Sequence, residues 1–318
     1  MAVAPQLAAF EIVELRQLRA RDLNELLEEE QKLWREELYW DYRPSAEMIR
    51  KHVDARTLPG GVARVGGRVA GYCFFVYEDH KALIGDLYVL EAYRQERPTG
   101  TAAGIATLLV EHALDTIQQS PGLWRIEAQL IPQSGTEPLG PVFLVRDFRS
   151  FPRLFMYKGL GPEAGPPAPA LPAAVAVRPW EDAYFEEMAR LIVDAYRDHV
   201  DSHINDQYSH DAGALRFLKN IVIFPGCGVF QPRTSLVAVE RTDAEERLVG
   251  AVLTSQVAPG IAHVTQLCIA PDRQGHGLGR YLMEASLEGL RGRGYRGVSL
   301  TVTAENESAV RLYRRLRF

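Results

Sequence analysis

The sequence is poor in cysteine, with only Cys73, Cys227 and Cys268 among its 318 residues. The three lie far apart and form no Cys-x-x-Cys pair of the kind that begins many structural zinc sites. An odd and sparse set also excludes the disulfide framework that stabilises small secreted proteins. We therefore expect a protein of a reducing compartment without a structural metal.

The sequence also lacks long apolar segments and long segments of like charge. No stretch approaches the roughly 18 consecutive apolar residues that a membrane-spanning helix needs. The first residues lack the charged start and long apolar centre of a signal peptide. The net charge is −5, and the densest basic cluster, at Arg314 and Arg315, is better suited to solvating a helix face than to binding nucleic acid. We expect a cytoplasmic protein with no nucleic-acid and no membrane partner.

Proline is concentrated in one segment, which predicts two domains. Residues 162–174 contain five prolines and few polar anchors, a composition typical of a semi-rigid extended linker. The 318 residues suffice for about two hydrophobic cores. We therefore expect domains at residues 1–161 and 175–318.

A glycine-rich turn is the most informative feature. Residues 266–280 read as an apolar strand, the turn, and the start of a helix. Such a turn presents free N–H groups at the positive end of a helix dipole, where a pyrophosphate can bind. Arg280 at the third glycine position excludes a dinucleotide fingerprint, and the lack of a Gly-Lys-Ser/Thr ending excludes a P-loop. On these residues alone, a simple chain reversal that needs positive φ stays open.

Two segments carry a resemblance to a known family. Gln274, Gly277 and Gly279 resemble the Gln-x-x-Gly-x-Gly coenzyme A signature of the GNAT superfamily, the general-control-type N-acetyltransferases. Residues from Asn306 to Tyr313 resemble the Asn-x-x-Ala-x-x-x-Tyr element of the same family, in the right order and at about the right separation. The resemblance covers residues 175–318. It implies an acetyl-CoA-dependent N-acetyltransferase in which an amine attacks the thioester directly.

The N-terminal half looks like a repeat of the C-terminal half in its order of predicted strands and helices. Tandem acetyltransferase domains are a known arrangement in this superfamily. We therefore expect an α/β (α+β) protein of two tandem GNAT domains, each a mixed, mostly antiparallel twisted sheet flanked by helices.

The repeat is unequal in its chemistry. The N-terminal half lacks the Gln-x-x-Gly-x-Gly pattern, and Pro98 removes an N–H donor from the corresponding turn. Aligning the two tails places Phe155 where the other half has Tyr313, and Phe148 where it has Asn306. We predict that residues 1–161 keep the fold and have lost acetyl transfer, although Gly100 and Gly104 leave a variant anion site open.

The resemblance implies a set of coenzyme-binding residues. The strand before the turn would offer backbone groups to the pantetheine arm and the acetyl carbonyl, the turn would bind the diphosphate, and the motif asparagine would hold the arm or a water. By position these residues are Leu267, Cys268, Ile269, Gln274, Gly275, His276, Gly277, Leu278, Gly279, Arg280 and Asn306. Cys268 could be misread as a nucleophile, but an apolar strand without a nearby histidine in register favours a buried, inert thiol.

The resemblance also implies the acid and the base. Tyr313 would protonate the departing thiolate, with a plain core tyrosine as the alternative. The family's base position on the strand falls at His263, and an imidazole titrates near neutrality. A histidine that only fills the strand, with deprotonation through water, is the alternative. Thr301 stands where ribosomal-protein N-terminal acetyltransferases carry a glutamate, which argues against that substrate class.

The amine acceptor is usually framed by the loop after the first helix of the domain. Here residues 198–211 hold several aspartates and histidines, and we expect Asp201, Asp206 and Tyr208 to contact the amine. His199 and His203 are four apart, but no further ligand pattern accompanies them, so we expect no metal. A solvated polar loop is the alternative.

The sequence leaves three points open. The chain ends at Arg317 and Phe318, so the usual last strand of the C-terminal sheet has no candidate in residues 175–318. A non-catalytic acyl-CoA-binding regulatory module is the alternative to the enzyme. A small-molecule or peptide amine acceptor is expected, and a homodimer is left open.

Overall fold

The computed structural model describes residues 9–99, 101–161, 171, 173–241 and 246–318. The chain divides into two compact units. Unit 1 comprises the described residues up to Glu37 and Asp41–Ser150, and unit 2 comprises Leu38–Trp40 and Phe151–Phe318. The proline-rich segment predicted as a linker lies largely outside the described residues.

Unit 1 contains a five-stranded sheet with the order β1-β2-β3-β4-β5. All neighbours are antiparallel except β4 and β5, which are parallel. The strands are β1 Phe10–Glu14, β2 Gly60–Val65, β3 Arg68–Glu78, β4 Lys81–Val89 and β5 Arg125–Ala128. The helices are α1 Asn24–Glu37, α2 Arg43–Asp54, α3 Ile105–Gln118 and α4 Gly140–Leu144.

Two apolar clusters hold unit 1 together. Helix α3 buries the side chains of Ile105, Leu109 and Leu114 in one cluster. Helices α1 and α2 bury Leu26 and Val53 in the other. Because apolar residues recur every three or four positions, each helix covers the sheet with one face. Burial of these side chains stabilises the unit by the hydrophobic effect.

Unit 2 contains a seven-stranded sheet with the order β6-β12-β11-β10-β9-β7, in which β8 also pairs with β10. The strands are β6 Arg153–Gly159, β7 Val175–Pro179, β8 Val229–Phe230, β9 Leu236–Arg241, β10 Glu246–Ala258, β11 Ile261–Ile269 and β12 Gly297–Thr303. The helices are α5 Phe185–Ala195, α6 Val200–Ile204, α7 Asp211–Val222, α8 Leu278–Arg291 and α9 Glu307–Arg315. Only β11 and β12 are parallel.

The central strand of unit 2 is covered on both faces. Strand β10 is buried at every position from Leu248 to Ser255, as expected when helices cover both sides of a sheet. One apolar cluster joins Met188 of α5, Leu218 of α7 and Leu282 of α8 to this strand. No helix in the described ranges combines the length and the apolar character needed to cross a bilayer.

Strand β6 supplies the sheet edge that residues 175–318 lack. It pairs antiparallel with β12 along its whole length, from Arg153 opposite Thr303 to Gly159 opposite Gly297. The predicted first domain ended at residue 161, whereas the structure assigns Phe151 onward to unit 2. The reason is physical: β12 would otherwise expose a row of unpaired N–H and C=O groups.

This strand also corrects the alignment of the two tails. Phe155 lies in β6, opposite Thr301 of β12, whereas Tyr313 lies in helix α9. The two residues are therefore not equivalent, and Phe155 does not stand in for a lost acid. In unit 1 the helix after β5 is α4, and it is short.

The predicted acceptor loop is largely helical. We expected residues 198–211 to form a polar loop after the first helix of this domain. The structure ends that helix at Ala195 and places α6 and α7 beyond it. His199 and His210 cap these two helices by accepting hydrogen bonds at Nδ1 from the N–H groups of Asp201 and Gly213. Two histidines predicted to lie in a loop thus begin helices.

Candidate active site

The site forms where β11 separates from β12. Strand β11 pairs with β12 only from Ile261 to Val264, and its remaining residues continue alongside β10 alone. A bulge at Thr265 breaks the register with β10, and the Thr265 hydroxyl donates to the carbonyl of Leu253 at 3.2 Å. A bulge bends and twists its strand. The second half of β11 therefore borders a gap between two parallel strands.

The backbone of β11 offers alternate residues to this gap. Ala270 donates its N–H to Val249 of the β10 side. Because N–H and C=O directions alternate along a strand, those of Leu267 and Ile269 point into the gap. The backbone groups of Cys268 point the other way, toward β10. Of the three strand residues expected to bind the coenzyme, Leu267 and Ile269 thus direct their backbone groups into the gap, and Cys268 does not.

Cys268 is part of the core. Its side chain is 4% exposed and lies in the main apolar cluster of unit 2. Burial raises the pKa of the thiol to about 12, so the thiolate is scarce at neutral pH. This agrees with the interpretation of an inert thiol.

The glycine turn follows directly. Gln274 donates from its side-chain amide to the carbonyl of Ile269 at 3.1 Å, which ties the turn to the strand end. Gly275 and Gly277 have φ of 77° and 85°, the left-handed region that favours glycine. Gly277 is the N-cap of α8 and has no capping side chain. The first N–H groups of α8 thus face outward, at the positive end of its dipole.

The other residues of the turn differ in their exposure. His276 is exposed, whereas Leu278 is buried in the core of unit 2. Gly279 lies against the strand, since a Cβ there would approach Ile269 to 3.5 Å. Arg280 donates from Nε to Glu284 Oε1 at 2.9 Å, so its charge is partly compensated within the helix.

Ion pairs that the sequence analysis missed support the turn. Arg273 bonds Glu240 of β9 at 2.8 Å, and Arg247 of β10 bonds Asp272 at 2.8 Å. Hydrogen bonds from these arginines hold the pKa of both carboxyl groups below their usual range. The turn is therefore anchored to two neighbouring strands.

Asn306 caps helix α9. Its Oδ1 accepts hydrogen bonds from the Ala309 N–H at 3.1 Å and from the Ser308 hydroxyl at 3.0 Å. The cap fixes where α9 begins and hence where Tyr313, two turns later, is placed. Asn306 thus has a structural task whether or not it contacts a ligand.

Tyr313 is a buried residue of helix α9 on which the charge of Asp201 acts. The tyrosine is 8% exposed, and its ring packs against Phe318. Burial, and then the charge of Asp201, raise the pKa of Tyr313 above its ordinary value. The phenol is therefore protonated at neutral pH, the state required of a proton donor.

Asp201 is fixed by β12 and surrounded by aromatic rings. Thr303 of β12 donates its hydroxyl to Asp201 Oδ1. The charge of Asp201 also raises the pKa of Tyr208 and Tyr196, in both cases after the larger effect of burial. These two rings stack with centroids 4.4 Å apart. Gln266 of β11 donates its side-chain amide to the Tyr196 hydroxyl at 3.0 Å, which links the cluster to the bulged strand.

Two of the three residues expected to contact the amine are thus linked, because the charge of Asp201 raises the pKa of Tyr208. Asp201 and Tyr208 belong to the cluster beside Tyr313. Asp206 begins the short 3₁₀ turn Asp206–Ser209, which carries Tyr208.

His263 occupies the paired half of β11. Its Nδ1 lies 2.9 Å from the Ser299 hydroxyl of β12, and the Trp40 ring packs edge-on with centroids 5.2 Å apart. Burial, and then the positive charge of Arg153, lower the pKa of His263 to about 4. The imidazole is neutral at physiological pH but is a weak base.

Trp40 and Arg153 were not predicted. Arg153 pairs with Thr303 across the β6–β12 ladder, so both side chains lie on the same face of the sheet. Both residues come from sequence outside 175–318, where no motif marks them. Among the described residues, no group of three or more histidine, cysteine or acidic side chains is arranged to hold a metal ion.

Comparison with known proteins places this geometry in a family. The Acetyltransferase (GNAT) family matches residues 20–133 and 185–318. A mycothiol acetyltransferase of Actinosynnema mirum is 32% identical over 154 residues, which are 48% of this chain and 47% of that protein. A mycothiol acetyltransferase of Saccharopolyspora erythraea is 39% identical over 89 residues, 28% of each chain. The matched region thus spans less than half the length of these curated relatives.

Solved structures resemble the whole chain. A GCN5-related N-acetyltransferase from Sphaerobacter thermophilus aligns with a TM-score of 0.60 at 20% identity, covering 98% of this chain and 92% of that one. A tandem GNAT protein from the clavulanic acid biosynthesis pathway aligns with a TM-score of 0.54 at 19% identity, covering 98% and 95%. At these identities the likeness concerns the fold.

Two sheets, each with a bulged strand that leads through a turn into a helix, define a tandem acetyltransferase architecture. The chain belongs to the Acetyltransferase (GNAT) family, which matches one segment in each unit. The predicted family and fold class are confirmed.

Proposed function

We propose that the protein transfers the acetyl group of acetyl-CoA to the primary amine of a small molecule, and that unit 2 carries the site. The observation that carries this proposal is the convergence at one gap. The free backbone edge of β11 and the uncapped start of α8 border it, Asp201 bonds Thr303 in the part of β12 beyond its pairing with β11, and the charge of Asp201 acts on Tyr313.

The coenzyme would be held mainly by backbone groups. The outward N–H groups at the start of α8, between Gly277 and Arg280, suit a diphosphate because donors and helix dipole act together. The N–H and C=O groups of Leu267 and the N–H of Ile269 would bind the pantetheine amides and the acetyl carbonyl, as a neighbouring strand would. Gln274 already donates a hydrogen bond to the carbonyl of Ile269, so the N–H of Ile269 is the group left for the ligand.

The chemistry needs one nucleophile and one proton donor. The amine lone pair attacks the thioester carbonyl carbon, the carbon–sulfur bond breaks, and the nitrogen–carbon bond of the amide forms. N–H groups at the β11 edge stabilise the negative charge that develops on the carbonyl oxygen. Tyr313 gives its proton to the departing thiolate. The proton that the amine loses replaces it, so that the phenol is restored.

The acceptor side favours a cationic amine. The Asp201 carboxylate, held by Thr303, would attract the ammonium group, and Tyr208 would pack against the substrate. Asp206 is proposed as a further contact, because it begins the turn that carries Tyr208.

His263 is proposed as the base, with a restriction. An imidazole with a pKa of about 4 is already unprotonated, but it takes a proton from a free ammonium group poorly. Deprotonation through water is the competing route. The two routes differ in how much activity remains when His263 is replaced.

The competing function is a non-catalytic acyl-CoA-binding regulatory module. Both candidates predict coenzyme binding, and only the enzyme predicts release of the free thiol. The Asn306 cap that fixes helix α9, and with it the Tyr313 phenol, favours the enzyme, because a binding module needs no proton donor.

The test is a thiol-release assay with acetyl-CoA and a panel of amines, including polyamines, aminoglycoside antibiotics, peptides and an amine related to mycothiol. The last belongs in the panel because the curated relatives are named mycothiol acetyltransferases. The enzyme predicts thiol release and an acetylated product of matching mass with at least one amine. Coenzyme binding without thiol release for any amine would favour the regulatory module.

A further inference from the structure

Unit 1 keeps the backbone frame of a coenzyme site. Strand β4 has a bulge at Gly85 and pairs with β5 only from Lys81 to Ile84, so its second half also borders a gap. Leu90 donates its N–H to the carbonyl of Ala70 on the β3 side. By alternation, the N–H and C=O of Val89 point into the gap, as those of Ile269 do in unit 2.

That edge is already occupied by a side chain of the same unit. Gln133 accepts a hydrogen bond at Oε1 from the Val89 N–H at 3.0 Å, and its Nε2 lies 3.5 Å from the Val89 carbonyl oxygen. Gln133 is 8% exposed. Its primary amide pairs with the strand edge as an amide of the pantetheine arm would.

The helix start is occupied as well. Gly104 is the N-cap of α3 and carries no side-chain cap of its own, and its N–H donates to Glu137 Oε1 at 2.6 Å. A Cβ at Gly104 would lie 2.9 Å from the same oxygen. A carboxylate is favourable at the positive end of a helix dipole. Glu137 thus occupies the place where a diphosphate would bind at such a helix.

Four further hydrogen bonds fix the segment between these groups. Arg94 donates from Nε to the Val89 carbonyl at 3.0 Å and from Nη1 to the Ser134 carbonyl at 3.2 Å. The Thr136 N–H and hydroxyl both donate to the carbonyl of Gln133, and Gly135 between them has φ of 86°. The segment is therefore a defined turn bonded to both ends of the strand–turn–helix frame.

A chance contact would occupy either the strand edge at Val89 or the helix start at Gly104, but not both. Here an amide meets the strand edge and an anion meets the helix start, in the order in which a coenzyme presents its amide arm and its diphosphate. We propose that residues 133–137 are an internal ligand that occupies the coenzyme position of unit 1, so that the chain binds one acyl-coenzyme A, in unit 2. The occupancy of unit 1 stands on its own contacts, and the binding in unit 2 rests on the proposed function.

The first experiment measures the stoichiometry of coenzyme A by calorimetry on the full chain. We expect one site in the wild type and none in Gly279→Glu, which adds a carboxylate to the first turn of α8 in unit 2. Two sites in the wild type, or one site remaining in Gly279→Glu, would overturn the inference. A wild type that binds no coenzyme contradicts the site in unit 2 and leaves unit 1 to the second experiment.

The second experiment needs no coenzyme. Hydrogen exchange is measured at the amides of Val89 and Gly104 in the Gln133→Ala/Glu137→Ala double variant. Removal of both acceptors should accelerate exchange at these two amides at least about 10-fold, while Leu109 inside α3 stays protected. Glu96→Ala, which removes an exposed carboxylate from the same connection, is the control and should change neither rate.

Unchanged exchange at Val89 and Gly104 in the double variant would contradict the internal ligand. If Leu109 also exchanges faster, unit 1 has lost its fold, and Glu137→Gln replaces the double variant. That change keeps the size of the side chain and weakens its bond to Gly104. Exchange should then increase at Gly104 and stay constant at Val89, and any other pattern would count against the inference.

Discussion

Units 1 and 2 share one backbone plan and differ in what fills it. In each, a bulge precedes the point where two parallel strands separate, and a 3₁₀ turn leads toward a helix. Unit 2 leaves the start of α8 without a side-chain cap, whereas unit 1 places Glu137 on Gly104 at the start of α3. The comparison teaches that the fold supplies the site, and that side chains decide whether a ligand can use it.

The acceptor side shows the same contrast. At the bulge, Asp86 of unit 1 stands where unit 2 has Gln266. Asp86 accepts hydrogen bonds from Tyr42 and Tyr72, and Tyr72 also bonds Glu30, which is fully buried. Burial, and then the charge of Asp86, raise the pKa of Glu30 well above its usual range. At this position unit 1 thus bonds its carboxyl groups to its own tyrosines.

The largest effect is expected for Gly279→Glu, which should remove coenzyme binding from unit 2. A carboxylate in the first turn of α8 is compatible with the helix dipole but repels a diphosphate. We expect the dissociation constant of coenzyme A to rise at least about 100-fold, equivalent to at least about 2.7 kcal/mol, so that calorimetry no longer detects a site, with unfolding unchanged. Gly279→Ala is the control, since its Cβ would meet Ile269 at an ordinary 3.5 Å. Equal losses in both variants would point to shape alone and against a bound diphosphate.

The next largest effect is expected for Tyr313→Phe. Loss of the phenol proton should lower kcat about 100-fold while leaving coenzyme affinity nearly constant. Tyr295→Phe is the matched control, because Tyr295 is also 8% exposed and bonds Gln256 through its hydroxyl. An unchanged kcat in Tyr313→Phe would remove the tyrosine from the mechanism.

Asp201→Asn tests whether Asp201 helps to bind the amine substrate. The amide can still accept the hydroxyl of Thr303, but it no longer attracts an ammonium group. We expect the KM for the amine to rise about 10-fold, with a smaller change in kcat. Asp206→Asn should act in the same direction, and Asp211→Asn at the start of α7 is the control. A constant KM in Asp201→Asn would contradict the acceptor assignment.

The smallest effect on activity is expected at His263, whose lowered pKa also makes stability depend on pH. Its pKa is about 4 in the folded protein and about 6.5 in an unfolded chain, so the unfolded state binds more protons between these values. Stability should therefore be full above pH 6.5 and fall as the pH drops toward 4, by up to about 3 kcal/mol. His263→Gln should reduce this loss, measured by urea unfolding at pH 7 and pH 4.5. An equal loss in both proteins would contradict the lowered pKa.

The same variant separates the two routes for the amine proton. Because an imidazole of such low pKa is a weak base, deprotonation through water predicts a loss in kcat below about 10-fold in His263→Gln. A loss of 100-fold or more would support His263 as the base.

Local sequence predicts the parts of the site that local structure builds. The turn at Gly277, the helix that follows it and the cap at Asn306 depend on backbone conformation within a few residues. The turn and the start of the helix were predicted from residues 266–280. The inert character of Cys268 also followed from its apolar strand.

Parts that tertiary structure assembles could not be predicted in this way. Arg153 reaches β12 through a strand that precedes the linker, and Trp40 reaches His263 through a short segment of unit 2 in the first half of the sequence. The low pKa of His263 follows from burial and from Arg153, neither of which the sequence shows. The bonds of Gln133 and Glu137 likewise join residues far apart in the chain.

The most direct test compares amide hydrogen exchange of the full chain with and without coenzyme A. The account predicts that the amides from Gly275 to Arg280 in unit 2 exchange at least about 10-fold more slowly when the coenzyme is bound. The amides of Val89 and Gly104 in unit 1 should keep their rates. Coenzyme-dependent protection in unit 1, or no protection between Gly275 and Arg280, would contradict it.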